Sequence, residues 1–147
     1  MTLRTLMVSV DAVLSGAGFK RAPGLFSAAS LPLTCVDNAW CVLVQSDDTG
    51  EYRESGDNEL RARQTVTISI LKQLRPGAQF DSLCDSGDAE ELIMAAMVQR
   101  AAFPDAFVRW LTTRRSAVPG REYLVIDLAF AIEHDWAFAS PSTATPG

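Results

Sequence analysis

His134 is the only histidine in the chain, so it is the first residue to consider for acid–base, nucleophilic or metal chemistry. It lies between Glu133 and Asp135, close to the end of the last apolar run. Because adjacent residues of a strand point to opposite faces, these three side chains cannot converge on one metal ion or substrate while the strand continues. The pattern favours an exposed histidine with a structural role over a catalytic or ligand role.

Two acidic pairs, Asp47 with Asp48 and Asp85 with Asp88, are the carboxylates that could suggest magnesium or calcium binding. Neither pair matches the spacing of an EF-hand loop. Carboxylates in the first turn of a helix are stabilised by the helix dipole, and this explains the second pair without a metal ion. We therefore predict no metal site.

The three cysteines, Cys35, Cys41 and Cys84, form no CxxC motif, so neither a disulfide framework nor a zinc knuckle is indicated. Cys41 lies within an apolar run and is predicted to be a small core residue. The sequence contains no Walker A loop, dinucleotide-binding glycine motif, HExxH motif or GxSxG nucleophile elbow. We therefore expect no cofactor and no enzyme activity.

A small basic cluster is formed by Arg114, Arg115 and Arg121, close to Trp110. Nucleic-acid binding needs a longer basic surface, whereas the chain has a formal net charge of -5. The cluster is therefore interpreted as a solvated hairpin tip. The sequence has neither a signal-peptide pattern nor a run of about 18 apolar residues, which predicts a protein kept in a reducing cytoplasm and away from membranes.

Apolar periodicity divides the chain into two helices and about four strands. The first helix is predicted to begin at Leu3 and to stop at Gly16, and Asp85 or Ser86 is predicted to cap the second, with Arg100 at its end. Four segments have the pattern of strands: 39–45, 65–70, 107–113 and 123–132. One face of the last strand carries the strongest apolar stripe, formed by Leu124, Ile126, Leu128, Phe130 and Ile132.

This order predicts one α+β domain over residues 1–139, with an antiparallel sheet of about four strands and two helices packed on one face, in the order α-β-β-α-β-β. Residues 140–147 have the composition of a flexible C-terminal tail. The loop 20–38 is rich in proline and serine, yet it has four large apolar side chains that should pack against other residues: Leu25, Phe26, Leu31 and Leu33. Residues 46–63 read as a solvated, charged connection between two strands.

Several quoted segments carry a resemblance to a known family. They are the leading helix, Asp37-Asn38-Ala39-Trp40, the charged stretch ending at Arg61-Ala62-Arg63, the alternating strand 65–70, the acidic-capped helix and the final strand 123–130. Together they resemble the tail terminator (tail completion) proteins of long-tailed bacteriophages. The resemblance spans about residues 3–133 and rests on order and pattern, with no invariant motif.

The resemblance implies a hexameric ring of identical subunits that caps the finished tail tube and docks to the head-side connector. The expected partners are therefore copies of the chain itself, the tail tube protein and the connector protein, in a virion assembled in the bacterial cytoplasm. The resemblance also implies no catalytic residues, and the genome would pass through the lumen without specific binding. An acidic chain with only two lysines suits such a conduit, because it attracts phosphates weakly.

Neighbours in a ring meet through two unlike patches, and two segments are expected to supply them. The first is the charged arm, with Arg53, Glu54, Asp57, Glu59, Arg61 and Arg63. The second is the aliphatic loop around Phe26 and Leu31. The alternatives are a head-tail adaptor of the neck, a dimeric antitoxin-like regulator, and a small α+β enzyme or ligand-binding protein that uses Asp127 or His134. Asp127 is expected on the face opposite the apolar stripe, outside any pocket between helices and sheet.

Overall fold

The structure is a computed structural model, and it describes residues 3–32, 34, 36–45, 51–52, 59–99, 102–103 and 106–137. These residues form an α+β fold of two helices and one mixed sheet, as expected for the class. The elements, in chain order, are α1 (Leu3–Gly16), β1 (Lys20–Arg21), β2 (Ala39–Gln45), β3 (Glu51–Tyr52), β4 (Glu59–Gln73), α2 (Gln79–Val98), β5 (Ala106–Ala117) and β6 (Tyr123–Ala137). The predicted tail, residues 140–147, lies outside the described residues.

The sheet has the strand order β1-β2-β4-β6-β5, and β3 pairs separately with β4. All neighbours are antiparallel except β1, which runs parallel to β2. The prediction of four antiparallel strands in the order α-β-β-α-β-β was therefore wrong in its details. The two additional strands contain two residues each, and β1 is held by backbone bonds such as Lys20 N to Asn38 O at 2.9 Å. Strands of two residues are too short to show an alternation of apolar and polar residues in the sequence.

Alternation along β4 and β6 creates the main core. The even-numbered residues of β4 from 64 to 70 and of β6 from 126 to 134 face the helices, so that Ile68 and Leu128 are paired neighbours with no exposed surface. The other fully buried residues of this core are Val66, Ile70, Ile126, Phe130 and Ile132 on the sheet, Leu6, Val10 and Leu14 on α1, and Ile93 and Met97 on α2. The predicted stripe on the last strand and the placement of both helices on one face are confirmed. Each buried aliphatic side chain contributes roughly 1.5–3 kcal/mol of transfer free energy.

A second, smaller core lies on the other face of the sheet, where part of the 20–38 loop packs. Phe26 is only 6% exposed and contacts a group of buried residues, namely Ala39, Cys41, Leu71, Val118 and Val125. The Cys41 thiol donates to the Phe26 carbonyl oxygen at 3.7 Å. The expectation that the loop packs against the protein is thus confirmed for Phe26, as is the prediction that Cys41 is a core residue. Leu33 and Cys35 lie outside the described residues.

Helix α2 begins earlier than its sequence indicates, so the prediction that Asp85 or Ser86 caps it was wrong. It starts at Gln79, and both Ser82 and Ser86 are buried within it. Their hydroxyls donate to carbonyl oxygens of the preceding turn, Ser82 Oγ to Ala78 O at 2.8 Å and Ser86 Oγ to Leu83 O at 2.7 Å. A serine that bonds back in this way is satisfied inside a helix and does not end it. The helix ends at Val98, and Arg100 is outside the described residues.

Strands β4 and β6 are longer than their apolar runs. They pair continuously from Glu59 opposite Ala137 to Gln73 opposite Tyr123, so the polar residues 59–63, predicted as a solvated connection, belong to β4. Pairing satisfies the backbone groups of a polar sequence as well as those of an apolar one. A tight turn connects β5 to β6, in which Arg121 N donates to Val118 O at 3.2 Å. No helix in the described part of the chain is long and apolar enough to span a membrane.

Polar bonds from Arg115 attach β5 to α2. Its Nη2 atom lies 2.9 Å from Glu90 Oε1, and its Nε atom donates to Ser86 Oγ at 3.2 Å. Burial raises the pKa of the Glu90 carboxyl, but hydrogen bonds from Thr113 and Arg115, together with the arginine charge, outweigh it and lower the pKa below its ordinary value. The carboxylate therefore stabilises the contact between helix and sheet in its charged form.

Replacing this carboxylate gives a pH-dependent prediction. Glu90→Gln is expected to lower the free energy of unfolding by about 1 kcal/mol at neutral pH, since partly exposed ion pairs contribute little more. A carboxyl with a depressed folded-state pKa contributes stability above its unfolded pKa and loses it as the pH falls through the folded pKa. Urea unfolding of both proteins should therefore show a difference at neutral pH that shrinks in acid. A difference independent of pH would contradict this account.

Candidate functional site

His134 is buried, at 2% exposure, so the prediction of an exposed histidine was wrong. That prediction assumed a site near the strand end, whereas β6 continues to Ala137 and pairs on both sides at this position, with Ala62 and with Ala106. His134 Nε2 lies 3.0 Å from Gln64 Oε1 on the helix-covered face. Glu133, the preceding residue of the paired strand, points to the other face, so it does not converge with His134 on one site. The structural role of the histidine stays a prediction.

The other candidate ligands do not assemble into a metal site within the described residues. No group of three histidine, cysteine, aspartate or glutamate side chains there could hold a metal ion. Asp85 lies on α2 and accepts a 2.9 Å bond from Arg75 Nη2. Asp47 and Asp48 lie outside the described residues.

An open groove of about 430 Å³ lies on the face of the sheet opposite the helices, beside the loop of the second core. Asp127 lines it and accepts a 2.6 Å hydrogen bond from Ser69 Oγ. This is the face on which Asp127 was expected. His134, by contrast, faces the helices, so the two candidate residues of the enzyme alternative lie on opposite sides of the sheet and cannot serve one site.

The residues predicted for a ring contact are placed in three different settings. Arg53, Glu54 and Asp57 lie outside the described residues. Glu59, Arg61 and Arg63 are the first residues of β4, where each pairs with β6. Phe26 packs into the chain's own second core, and Leu31 is partly buried against the same core. The roles of all these residues in a contact stay predictions, but little of the Phe26 ring is left for a partner.

Strand β5 forms an edge of the sheet, which the sequence analysis did not identify. It pairs with β6 on one side, and among the described residues no strand pairs with its other side. Three large apolar side chains are exposed along it: Phe107 at 66%, Trp110 at 42% and Leu111 at 40%. Leu111 lies at a break in the register between Trp110 and Thr112, which indicates a β-bulge. Exposed apolar residues on a long edge strand are typical of a surface that pairs with another chain.

Three arginines of β5 differ in what they bind. Arg115 is held by α2, as described above. Arg109 and Arg114 are exposed on the opposite face of the strand, and neither makes an ion pair with the described residues. Arg114 pairs in register with Asp127, but that carboxylate takes its bond from Ser69. We define the β5 edge as the open side of this strand together with Phe107, Arg109, Leu111 and Arg114.

The predicted basic cluster is not a hairpin tip, because β5 continues to Ala117 and includes Arg114 and Arg115. Arg121 is separately engaged: its Nη1 atom donates to Leu31 O at 3.0 Å and Pro32 O at 3.1 Å, and its guanidinium lies 5.5 Å from the Tyr123 ring centroid. It therefore holds the loop against the sheet. The sequence signal for the β5 edge was a run of twelve residues with three arginines and no carboxylate.

No protein-family model matches the chain, and a search of curated proteins found no similar sequence.

Proposed function

We propose that this chain is a structural subunit that assembles with copies of itself into a closed ring, and that the ring caps a bacteriophage tail tube and joins it to the head-side connector. The observation that carries the first part is the β5 edge. A twelve-residue strand at the border of the described part of the sheet, with exposed apolar side chains, is a ready template for another chain. The second part rests on the order of elements quoted from the sequence.

The charge of the chain supports the conduit role. A formal net charge of -5 disfavours tight contact with phosphates, so a genome would pass through the lumen without specific binding. The contacts with the tail tube protein, with the connector and between copies would then be contacts between proteins, without nucleic acid. A head-tail adaptor of the neck would share this chemistry and differ in the component it binds.

Electron microscopy tests the proposed function directly. The purified chain should form closed rings of one size, and incubation with assembled tail tube protein should place one ring at the tube end. Rings that bind the connector protein but never the tube would identify a neck adaptor. Strictly monomeric particles at every concentration, by sedimentation velocity, would overturn the proposal.

A double substitution on the β5 edge is expected to weaken assembly. Phe107→Lys with Leu111→Lys adds charge to an exposed edge, which opposes pairing with another strand. We expect the dissociation constant of the ring to rise by about tenfold or more, equivalent to about 1.4 kcal/mol. Sedimentation velocity measures the change. The control is Phe80→Lys, at a phenylalanine on α2 that is even more exposed (79%), and this variant should assemble as the unmodified chain does.

A further inference from the structure

Two segments of the sequence carry opposite charge, and the strands that anchor them lie apart in the sheet. Between Ser46 and Glu59 the sequence carries six carboxylates and one arginine. Between Ala106 and Ala117, in β5, it carries three arginines and no carboxylate. We propose that the β5 edge of one copy binds the acidic segment 46–59 of the next copy. This inference rests on the proposed self-assembly and specifies its contact.

The anchors of the acidic segment lie on the far side of the sheet from β5. The segment follows Gln45 at the end of β2, and β3 within it pairs with β4, with Tyr52 opposite Leu60. Strand β6 occupies the other side of β4, so β3 pairs on the side towards β2. Strands β4 and β6 therefore separate β3 from β5, which amounts to about 14 Å at the usual strand spacing.

This separation of basic and acidic segments favours a head-to-tail contact between copies. A basic edge strand and an acidic segment anchored on strands away from that edge are unlike patches, and unlike patches that meet between copies generate a ring when the rotation closes. Pairing of two β5 edges with each other would instead bring Arg109 and Arg114 of both copies together. Like charges across paired strands are destabilising, so a symmetric β5 dimer is disfavoured.

The side chains of the β5 edge suit an acidic partner. Arg109 and Arg114 are exposed and make no ion pair with the described part of their own chain. A guanidinium binds a carboxylate through two parallel hydrogen bonds, which gives direction as well as attraction. Phe107 and Leu111 add exposed apolar area beside them. Attraction between opposite charges also accelerates encounter, and salt weakens it.

A charge-swap experiment tests the contact. The first variant is Arg109→Glu with Arg114→Glu, and the second is Glu54→Arg with Asp57→Arg. Each variant alone should raise the dissociation constant of assembly by about tenfold or more at low salt. An equimolar mixture of the two variants should assemble again, because the new carboxylates on the β5 edge of the first variant then meet the new arginines of the second, and the unmodified β5 edge of the second meets the unmodified acidic segment of the first. One chain carrying all four substitutions should also assemble. Sedimentation velocity gives the oligomeric state, and circular dichroism checks that each variant is folded.

The matched control changes the same number of charges elsewhere. Arg4→Glu with Arg21→Glu alters two exposed arginines on α1 and β1 and should leave assembly within about twofold of the unmodified chain. If this control weakens assembly as much as the first variant does, net charge and not the β5 edge is responsible, and the inference fails.

The remaining outcomes separate the inference from the proposed function. If the unmodified chain forms rings but both charge variants form them equally well, the inference is overturned and the ring stands. Loss of assembly in the variants without rescue in the mixture or the fourfold variant would also overturn it. Binding of duplex DNA that the first variant abolishes, with unchanged oligomers, would assign the edge to nucleic acid instead. An unmodified chain that stays monomeric overturns both.

Discussion

Phe130→Ala is expected to lower the free energy of unfolding by about 3–5 kcal/mol, the usual cost of removing a fully buried phenylalanine ring from a core. Phe130 lies in the middle of β6, paired with Val66 on one side and Trp110 on the other, and it has no exposed surface. Strand β6 is paired on both sides, so the backbone around Phe130 cannot collapse fully into the cavity that the smaller side chain leaves. Chemical unfolding followed by circular dichroism measures the change.

The matched control for Phe130 is the same substitution at an exposed phenylalanine. Phe80 lies at the start of α2 with 79% of its surface exposed, so Phe80→Ala should change stability by less than about 0.5 kcal/mol. Equal losses at the two positions would mean that the face of β6 assigned to the core is wrong.

Gln64→Leu is expected to destabilise the protein by about 1–3 kcal/mol, because it removes the amide oxygen that lies 3.0 Å from the buried His134 ring. A buried polar atom that loses its partner keeps its desolvation cost. Adding His134→Leu should recover most of this loss, because two apolar side chains of suitable size can replace a buried polar pair almost neutrally. Urea unfolding of the two single variants and the double variant completes the cycle.

The control for this cycle is Thr67→Val, on the opposite face of β4. Thr67 is half-buried beside the open groove, and its replacement should change stability by less than about 0.5 kcal/mol. A double variant less stable than both single variants would show that the imidazole contributes more through its other contacts than through Gln64.

The apolar alternation of β6 could be read directly from the sequence, and so could the helix-covered face. Residues 124 to 132 carry large apolar side chains at every second position, a pattern that only a half-buried strand explains. The apolar stripe of α1 could also be read directly from the sequence, because its apolar residues are spaced three or four apart. Where the local pattern and the tertiary environment agree, prediction from one sequence succeeds.

Other boundaries depended on partners that a single sequence does not reveal. The start of β4 at Glu59 is polar, and it is a strand because β6 and β3 satisfy its backbone. Ser86 looks like a cap, yet its hydroxyl bonds to a carbonyl oxygen within α2. His134 looked exposed because the apolar stripe ends at Ile132, although the strand and its buried face continue. Pairing with a distant strand decided the outcome for Glu59 and His134, and a bond within the helix decided it for Ser86.

For the candidate site, too, the residue types could be predicted from the sequence, whereas their position in the sheet could not. The arginines of β5 and the carboxylates of residues 46–59 can be identified directly in the sequence. That β5 lies at the border of the sheet follows from the strand order β1-β2-β4-β6-β5, which is a tertiary property. Hence arginines interpreted as part of a hairpin tip belong to the strand that we propose as a surface for a partner, whereas Phe26, expected at a contact, packs inside the chain.

The position of β6 has a consequence for synthesis. It is the last of the described strands in chain order, yet it lies between β4 and β5 and pairs with both along most of their length. While the ribosome is still translating the preceding residues, β5 has no neighbour and β4 lacks one of its two. Native topology with such distant pairing forms slowly, and unpaired apolar strands are prone to aggregate. The nascent polypeptide should therefore acquire its fold only after release of β6 from the exit tunnel, and chaperones that shield strands would raise its yield.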